Sequence, residues 1–214
     1  MTATRPPRTP LIGDFVRLDP LQRDDIPALF AAIGHPVVFA GGFGGGPSGY
    51  TDDLADFTAF ADGYFDWQNG NVHAVRLVGG AHDGLLVGTS TLGDFELELE
   101  HAHIGWTAYD PRVWGTAVNV ETKLLILGSA FDNGFGRIRI QADVLNGRSR
   151  AAITKLGATF EGISRRDMRR ADGSWRDSAM FSIIVDDWPE VRSGLLSRLE
   201  RQGDEPIALR EASA

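Results

Sequence analysis

The sequence predicts an α+β domain: a mixed, mostly antiparallel twisted sheet with one central parallel β-α-β crossover and flanking helices. Three observations point there. Helical periodicity comes first, at Ile26, Leu29, Phe30 and Ile33 and again between Asp52 and Trp67. Three strand-like runs then follow one another without a helix, and after them strand and helix alternate, which requires a parallel crossover.

Each element has a local reason. Phe15 to Leu18 alternates as a short strand, and Asp24-Asp25 opens the first helix. Thr51 is an N-cap candidate for a helix over 52–67, whose stripe is Leu54, Phe57, Phe60, Ala61, Tyr64 and Phe65. Val72 to Val78, Leu85 to Leu92 and Ala102 to Tyr109 read as an antiparallel meander. The strongest helix runs from Asn119 to Phe131 and stops at Asn133-Gly134, with Val120, Leu124, Leu127 and Phe131 on one face. A strand over 137–144 and a helix over 146–156 follow. A hairpin, 159–168 with 175–185, turns at Asp172-Gly173, and a last helix spans about 189–201. The domain is expected over residues 11–201. The polar stretches 1–10 and 202–214 lack periodicity and are expected as flexible ends.

Composition excludes several classes of function. The chain has 214 residues, 43% of them hydrophobic and 23% charged, within the range of one globular domain. It contains no cysteine, so disulfides, thiolate metal sites and a cysteine nucleophile are ruled out. A net charge of -8 and short, interrupted basic clusters argue against nucleic acid as a partner and are compatible with a cationic amine. No run approaches the roughly 18 apolar residues of a membrane span, and the first ten residues lack a signal-like apolar block, so no membrane partner and a cytoplasmic address are expected.

Two segments carry chemistry. In Ile104 to Glu121 a strand breaks at Asp110-Pro111, a loop containing Gly115 follows, and a helix begins near Val118 or Asn119. Such a strand, small-residue loop and helix N-terminus offer unpaired N–H groups to an anion such as a pyrophosphate. A plain βα turn explains the spacing equally well. In the second segment, Asn146, Ser149 and Ile153 share one helix face. Here an N-capping Asn146 and a solvated Ser149 hydroxyl would suffice.

Together the two segments resemble the GNAT N-acetyltransferases, in the branch of the ribosomal-protein-alanine acetyltransferases RimJ and RimL. That branch has a strand, a Gln-Gly-x-Gly-x-Ala loop and a helix, then Asn-x-x-Ser and Leu-Gly-Phe-x-x-Glu-Gly. The resemblance spans about Phe15 to Trp188, and Ser164-Arg-Arg-Asp-Met, Arg176-Asp-Ser and Asp187-Trp188 follow its usual ending. It implies that Trp114, Gly115, Thr116, Ala117, Val118 and Asn119 hold the pyrophosphate of coenzyme A through backbone amides. Trp114 stands where the family often has Gln, and Ala117 where it has a second Gly. It further implies that Gly105, Trp106 and Thr107 aim N–H groups at the thioester carbonyl, and that Asn146 contacts the pantetheine arm or the sulfur. The frequent acid Tyr is replaced by Ile153, so Ser149 is the implied proton donor to the thiolate and Glu161 the implied general base. A surface carboxylate at a strand start is the plainer account of Glu161.

Other signals carry less. Gly44 to Gly49 matches G-x-G-x-x-G, but Pro47 interrupts it and Asp52-Asp53 would repel a phosphate. As part of the run Gly41 to Gly49 it suits a lid over the acceptor site better. His101 and His103 lack a third ligand at motif spacing, so no metal is expected. Phe95, Leu97 and Leu99 alternate with Glu96, Glu98 and Glu100 as a half-buried strand or loop wall.

The resulting expectation is an acetyl-CoA-dependent N-acetyltransferase. It moves the acetyl group directly, in a ternary complex, to a primary amine: a protein N-terminus, an amino acid or a small amine. The alternative is a non-catalytic coenzyme A sensor or interaction module on the same fold. Dimers are common in the branch, so a homodimer is an open partner state.

Overall fold

The computed structural model describes residues 3–211. Eight strands form one sheet in the order β1-β2-β3-β4-β5-β6-β8-β7. In chain order they are β1 (Leu11–Ile12), β2 (Val16–Pro20), β3 (Asn71–Leu77), β4 (Leu86–Glu96), β5 (His101–Tyr109), β6 (Arg137–Asp143), β7 (Thr159–Arg169) and β8 (Trp175–Ile184). The helices are α1 (Ile26–Ile33), α2 (Pro36–Ala40), α3 (Leu54–Tyr64), α4 (Ala117–Asp132), α5 (Gly147–Lys155) and α6 (Trp188–Glu200). Among the described residues only β5 and β6 pair in parallel, across the α4 crossover; the other pairings are antiparallel. The predicted α+β class and its single parallel crossover are therefore present.

The sheet separates two apolar clusters. On one side α4 buries Val118, Ile126, Leu127 and Ala130, joined by Leu195 and Leu199 of α6. On the other, Leu29 and Ile33 of α1 meet Phe39 of α2 and Phe57 and Ala61 of α3. Each such fully buried Leu, Ile or Phe contributes about 1.5–3 kcal/mol. Among the described residues no helix is long and apolar enough to cross a membrane.

Several elements differ from the sequence reading. The α3 helix is shorter than 52–67 because Asp53, not Thr51, caps it: Asp53 accepts from the N–H groups of Ala55 and Asp56, while Thr51 accepts from Asp53 N–H. Residues 36–40 form a helix started by Pro36 at its first position. The β4 strand extends through Glu96, and Leu97–Leu99 is a short 3-10 turn, not a continuing strand or wall.

The ends also pack where flexibility was expected. Ala3 is buried, Arg8 donates to the carbonyls of Trp67 and Gln68, and Ile207 is buried. The expectation for residues 1–2 and 212–214 lies outside the described residues.

A buried carboxylate ties the crossover helix to the start of the sheet. Glu121 on α4 accepts from the N–H groups of Asp14 (2.9 Å), Phe15 (2.7 Å) and Val16 (2.7 Å). The chain can approach only because Gly13 has no side chain: a Cβ there would stand 2.3 Å from the Glu121 carboxyl carbon. Hydrogen bonds to a charged acceptor are worth about 1.5–3 kcal/mol. Glu121→Gln, which turns an NH2 group toward these donors, should lower the stability by about 2–3 kcal/mol in urea denaturation. An unchanged urea midpoint would mean that the clamp contributes nothing.

Candidate active site

The site begins where two strands part. The parallel pairing of β5 and β6 runs from His101–Arg137 to Ile104–Ile140 and then stops, although β5 continues to Tyr109 and β6 to Asp143. Each strand keeps its other neighbour: β4 pairs with β5 as far as Tyr109, and β8 pairs with β6 as far as Asp143. Their facing edges beyond Ile104 and Ile140 are thus left open. A cleft of about 300 Å³ fills the gap.

A bulge shapes the floor of this cleft. Opposite β4, Thr89 pairs with Ala108 and Thr91 with Gly105, so Trp106 and Thr107 together face Ser90. Trp106 takes φ 49°, a left-handed conformation unusual for an aromatic residue. Backbone strain of this kind, costing about 1–3 kcal/mol, concentrates at functional sites. Gly105, Trp106 and Thr107, to which the resemblance assigns the thioester, all line the cleft.

One end of the cleft is the loop before α4. Gly115 has φ +73°, which favours glycine, and Thr116 caps the helix, accepting from Val118 N–H. Ala117 is the first helical residue and needs no left-handed geometry. The remaining first-turn amides have no helical carbonyl to bond and sit at the positive end of the helix dipole. Trp114, Gly115 and Asn119 line the cleft, whereas Thr116, Ala117 and Val118 do not. Trp114 is pinned from two sides: its indole donates to the Tyr109 carbonyl, and Arg210 from the C-terminal segment donates to its own carbonyl. The Arg148 guanidinium stacks over the Trp114 ring, 3.5 Å from its centroid.

The wall opposite comes from α5. Asn146 caps the helix, accepting from Ser149 N–H at 2.9 Å, while its amide donates to the Gly41 carbonyl. Both Asn146 and Ser149 line the cleft, with Ile153 one turn further. The capping role and the cleft position coexist. The glycine-rich run covers the other end. Gly41 is held by Asn146, Gly44 N–H by the Tyr64 hydroxyl, and the Gly45 carbonyl by Ala171 N–H in the β7–β8 turn.

Glu161 is elsewhere. It does not line the cleft; it sits part-exposed on β7, accepting from Ser182 and paired with Arg137. The Ser182 hydrogen bond, with Arg137 beside it, holds its pKa below the usual Glu value, which weakens it as a base. His103 is buried on β5 and bonds Asp94, and burial lowers its pKa.

A residue that the sequence reading passed over lies at the centre. Lys123 of α4 lines the cleft, is 5% exposed, and donates to Ser90 (2.9 Å) and to Thr107 (2.8 Å) at the bulge. No carboxylate pairs with it among the described residues. Burial lowers its pKa to about 7. Burial, with the Lys123 charge, also lowers His73 to about 4.

A family model described as an acetyltransferase (GNAT) domain matches residues 16–159, and the chain belongs to that family. It is an acyltransferase of the GNAT fold. Among solved structures, a GCN5-related N-acetyltransferase from Brucella melitensis is 25% identical, over 92% of this chain and 87% of that one, with a TM-score of 0.80. An acetyltransferase, provisionally so assigned, from T. thermophilus is 28% identical, over 93% and 100%, with a TM-score of 0.79. Mycobacterium smegmatis RimJ, solved in complex with CoA-disulfide, is 19% identical over 92% and 97%, and its TM-score of 0.66 is a likeness of fold. No curated protein matches the chain with significance.

The buried lysine makes stability depend on pH. A free Lys protonates near 10.4, while Lys123 in the fold does so at about 7. Between these values the unfolded chain binds a proton that the folded one does not, so this group's contribution rises with pH across that window. The stability difference between Lys123→Met and the parent should therefore shift toward the parent from about pH 7 to pH 10, by on the order of 1–4 kcal/mol. Urea midpoints of both proteins across that range read it. A constant difference would place the ammonium group in water.

Proposed function

We propose that this GNAT enzyme is an acetyl-CoA-dependent N-acetyltransferase that passes the acetyl group directly to a primary amine. The observation that carries the reading is the open edge between β5 and β6, bulged at Trp106 and leading to the first turn of α4. An extended pantetheine arm has the shape and the amide groups to take the place of the missing strand pairing. The α4 first turn, with Arg148 over Trp114, supplies positive potential for the phosphates. Acetyl-CoA, when bound, supplies a thioester open to attack by the amine. With no cysteine in the chain, no thiol side chain can carry the acetyl group between the two substrates. A cytoplasmic address accords with this co-substrate.

The chain's own residues divide the remaining work. Gly105, Trp106 and Thr107 present main-chain donors at the bulge for a carbonyl that gains negative charge. Ser149 offers a hydroxyl proton to the departing sulfur, as the resemblance implied. Proton removal from the acceptor falls to Lys123. Among the cleft-lining titratable groups, Asp143 is ion-paired with Arg170, and burial pushes Tyr64 and Tyr109 up. Lys123 alone has its pKa near neutrality, and Thr107 Oγ1 at 2.8 Å links its Nζ to the bulge. Glu161, outside the cleft, is left with a structural part.

Two measurements test this. Acetyl-CoA should raise the melting temperature, and Asn119→Glu, placing an anion in the first turn where it lines the cleft, should abolish the rise. A full shift in that variant would locate coenzyme A elsewhere. In a thiol-release assay, Lys123→Met should reduce kcat by roughly 10²- to 10⁴-fold and remove a rising limb near pH 7, while Glu161→Gln stays within about threefold of the parent. The opposite ranking would return the base to Glu161.

A further inference from the structure

One charged group in the cleft has no partner and no assigned work. Arg176, near the start of β8, lines the cleft close to Tyr64. Its Nε is buried without a hydrogen-bond partner, and no carboxylate lies within ion-pair distance of it among the described residues. Asp143 and Asp167 favour its charge only from beyond ion-pair distance, each bonded to another group. Asp143 uses Oδ2 on Arg170 and Oδ1 on Leu145 N–H. Asp177 accepts from Arg166 N–H, and Asp167 from Ser164. A part-buried guanidinium left in this state is costly unless an anion completes it.

Arg148, stacked on Trp114 in the loop before α4 and beside Gly41, is the cation placed for the phosphates of coenzyme A, whereas Arg176 lies with Tyr64, whose hydroxyl holds Gly44. The surroundings of Arg176 are aromatic, with Tyr64 packed on Phe43 and holding Gly44, which suits a small acceptor with an apolar body.

We propose that the acceptor is a small amine that also carries a carboxylate, an amino acid with a free carboxyl group, and that Arg176 binds that carboxylate. A planar guanidinium matches a carboxylate with two parallel hydrogen bonds. This anchors the acceptor at one end of the cleft and leaves its amine free to turn toward the bulge. The proposal rests on the N-acetyltransferase reading above and names its substrate class.

The experiment has a binding arm and a kinetic arm, so that failure of one reading can be told from failure of the other. In the binding arm, thermal shift in the presence of coenzyme A is measured with N-acetyl-amino acids and with their C-terminal amides. The free acids should stabilise the protein, the amides should not, and Arg176→Met should abolish the difference while Arg176→Lys keeps part of it. In the kinetic arm, acetyl-CoA is supplied with a panel of amino acids, their amides and short peptide amides. The parent should prefer free acids in kcat/KM by about 30-fold or more, and Arg176→Met should bring the ratio to within about threefold, with the KM for acetyl-CoA unchanged. Equal use of acids and amides, preference for peptide amides, or a raised KM for acetyl-CoA in Arg176→Met would each overturn the proposal. Selective binding of the free acids without turnover would keep the carboxylate site and sink the acetyl-transfer reading.

Discussion

The structure depends on two adjacent parallel strands that stop pairing halfway along. Main-chain groups at a sheet edge need partners, and in a buried sheet an unpaired edge is costly. Here β5 and β6 can part beyond Ile104 and Ile140 because β4 and β8 hold their outer edges to the end. The α4 crossover then sits over the gap, with its N-terminus at the cleft and its Glu121 clamped to the start of β2. A sheet paired throughout would leave no cleft here, so the local loss of pairing is what makes room for the proposed thioester.

Charge inside the gap follows the same logic. An acidic protein holds Lys123, Arg148 and Arg176 along one cleft, and the single cleft carboxylate, Asp143, is neutralised by Arg170. Each cation is held differently. Lys123 is fully enclosed and meets only the Ser90 and Thr107 hydroxyls, so desolvation brings its pKa toward neutrality. Arg148 stacks on the Trp114 indole at the exposed rim. These environments suit three distinct tasks: exchanging a proton, meeting phosphates and binding an anion on the acceptor.

Much of this was legible in the sequence, for identifiable reasons. The α4 helix announced itself by long apolar periodicity, and the loop around Gly115 by its glycine between a strand and that helix. Asn146 and Ser149 are separated by one helical turn, which put them on one face, and both reach the cleft. The misses have a common cause: they depend on contacts between segments distant in the chain. Lys123 follows Glu121-Thr122 in a helix and reads as part of a polar face, yet β4 and β5 bury it. Arg176 sits in an ordinary hairpin strand, and only the tertiary fold brings it to the cleft. Glu161 was placed by resemblance, but its direction on β7 is set by Ser182 and Arg137 across the sheet.

The glycine-rich run shows how local composition and tertiary contact divide the control of the cleft. Its conformation is local: Gly42, Gly44, Gly45 and Gly46 all have positive φ, which other residues adopt at a cost. Its position is not local. Asn146, Tyr64 and Ala171 fasten it to α5, to α3 and to the β7–β8 turn. A segment so fastened bridges both sides of the acceptor end, while its glycines leave the backbone free to take other conformations if those bonds are released. The Asn146 that holds Gly41 is also the α5 cap lining the cleft, so one side chain joins α5, the glycine-rich run and the cleft wall.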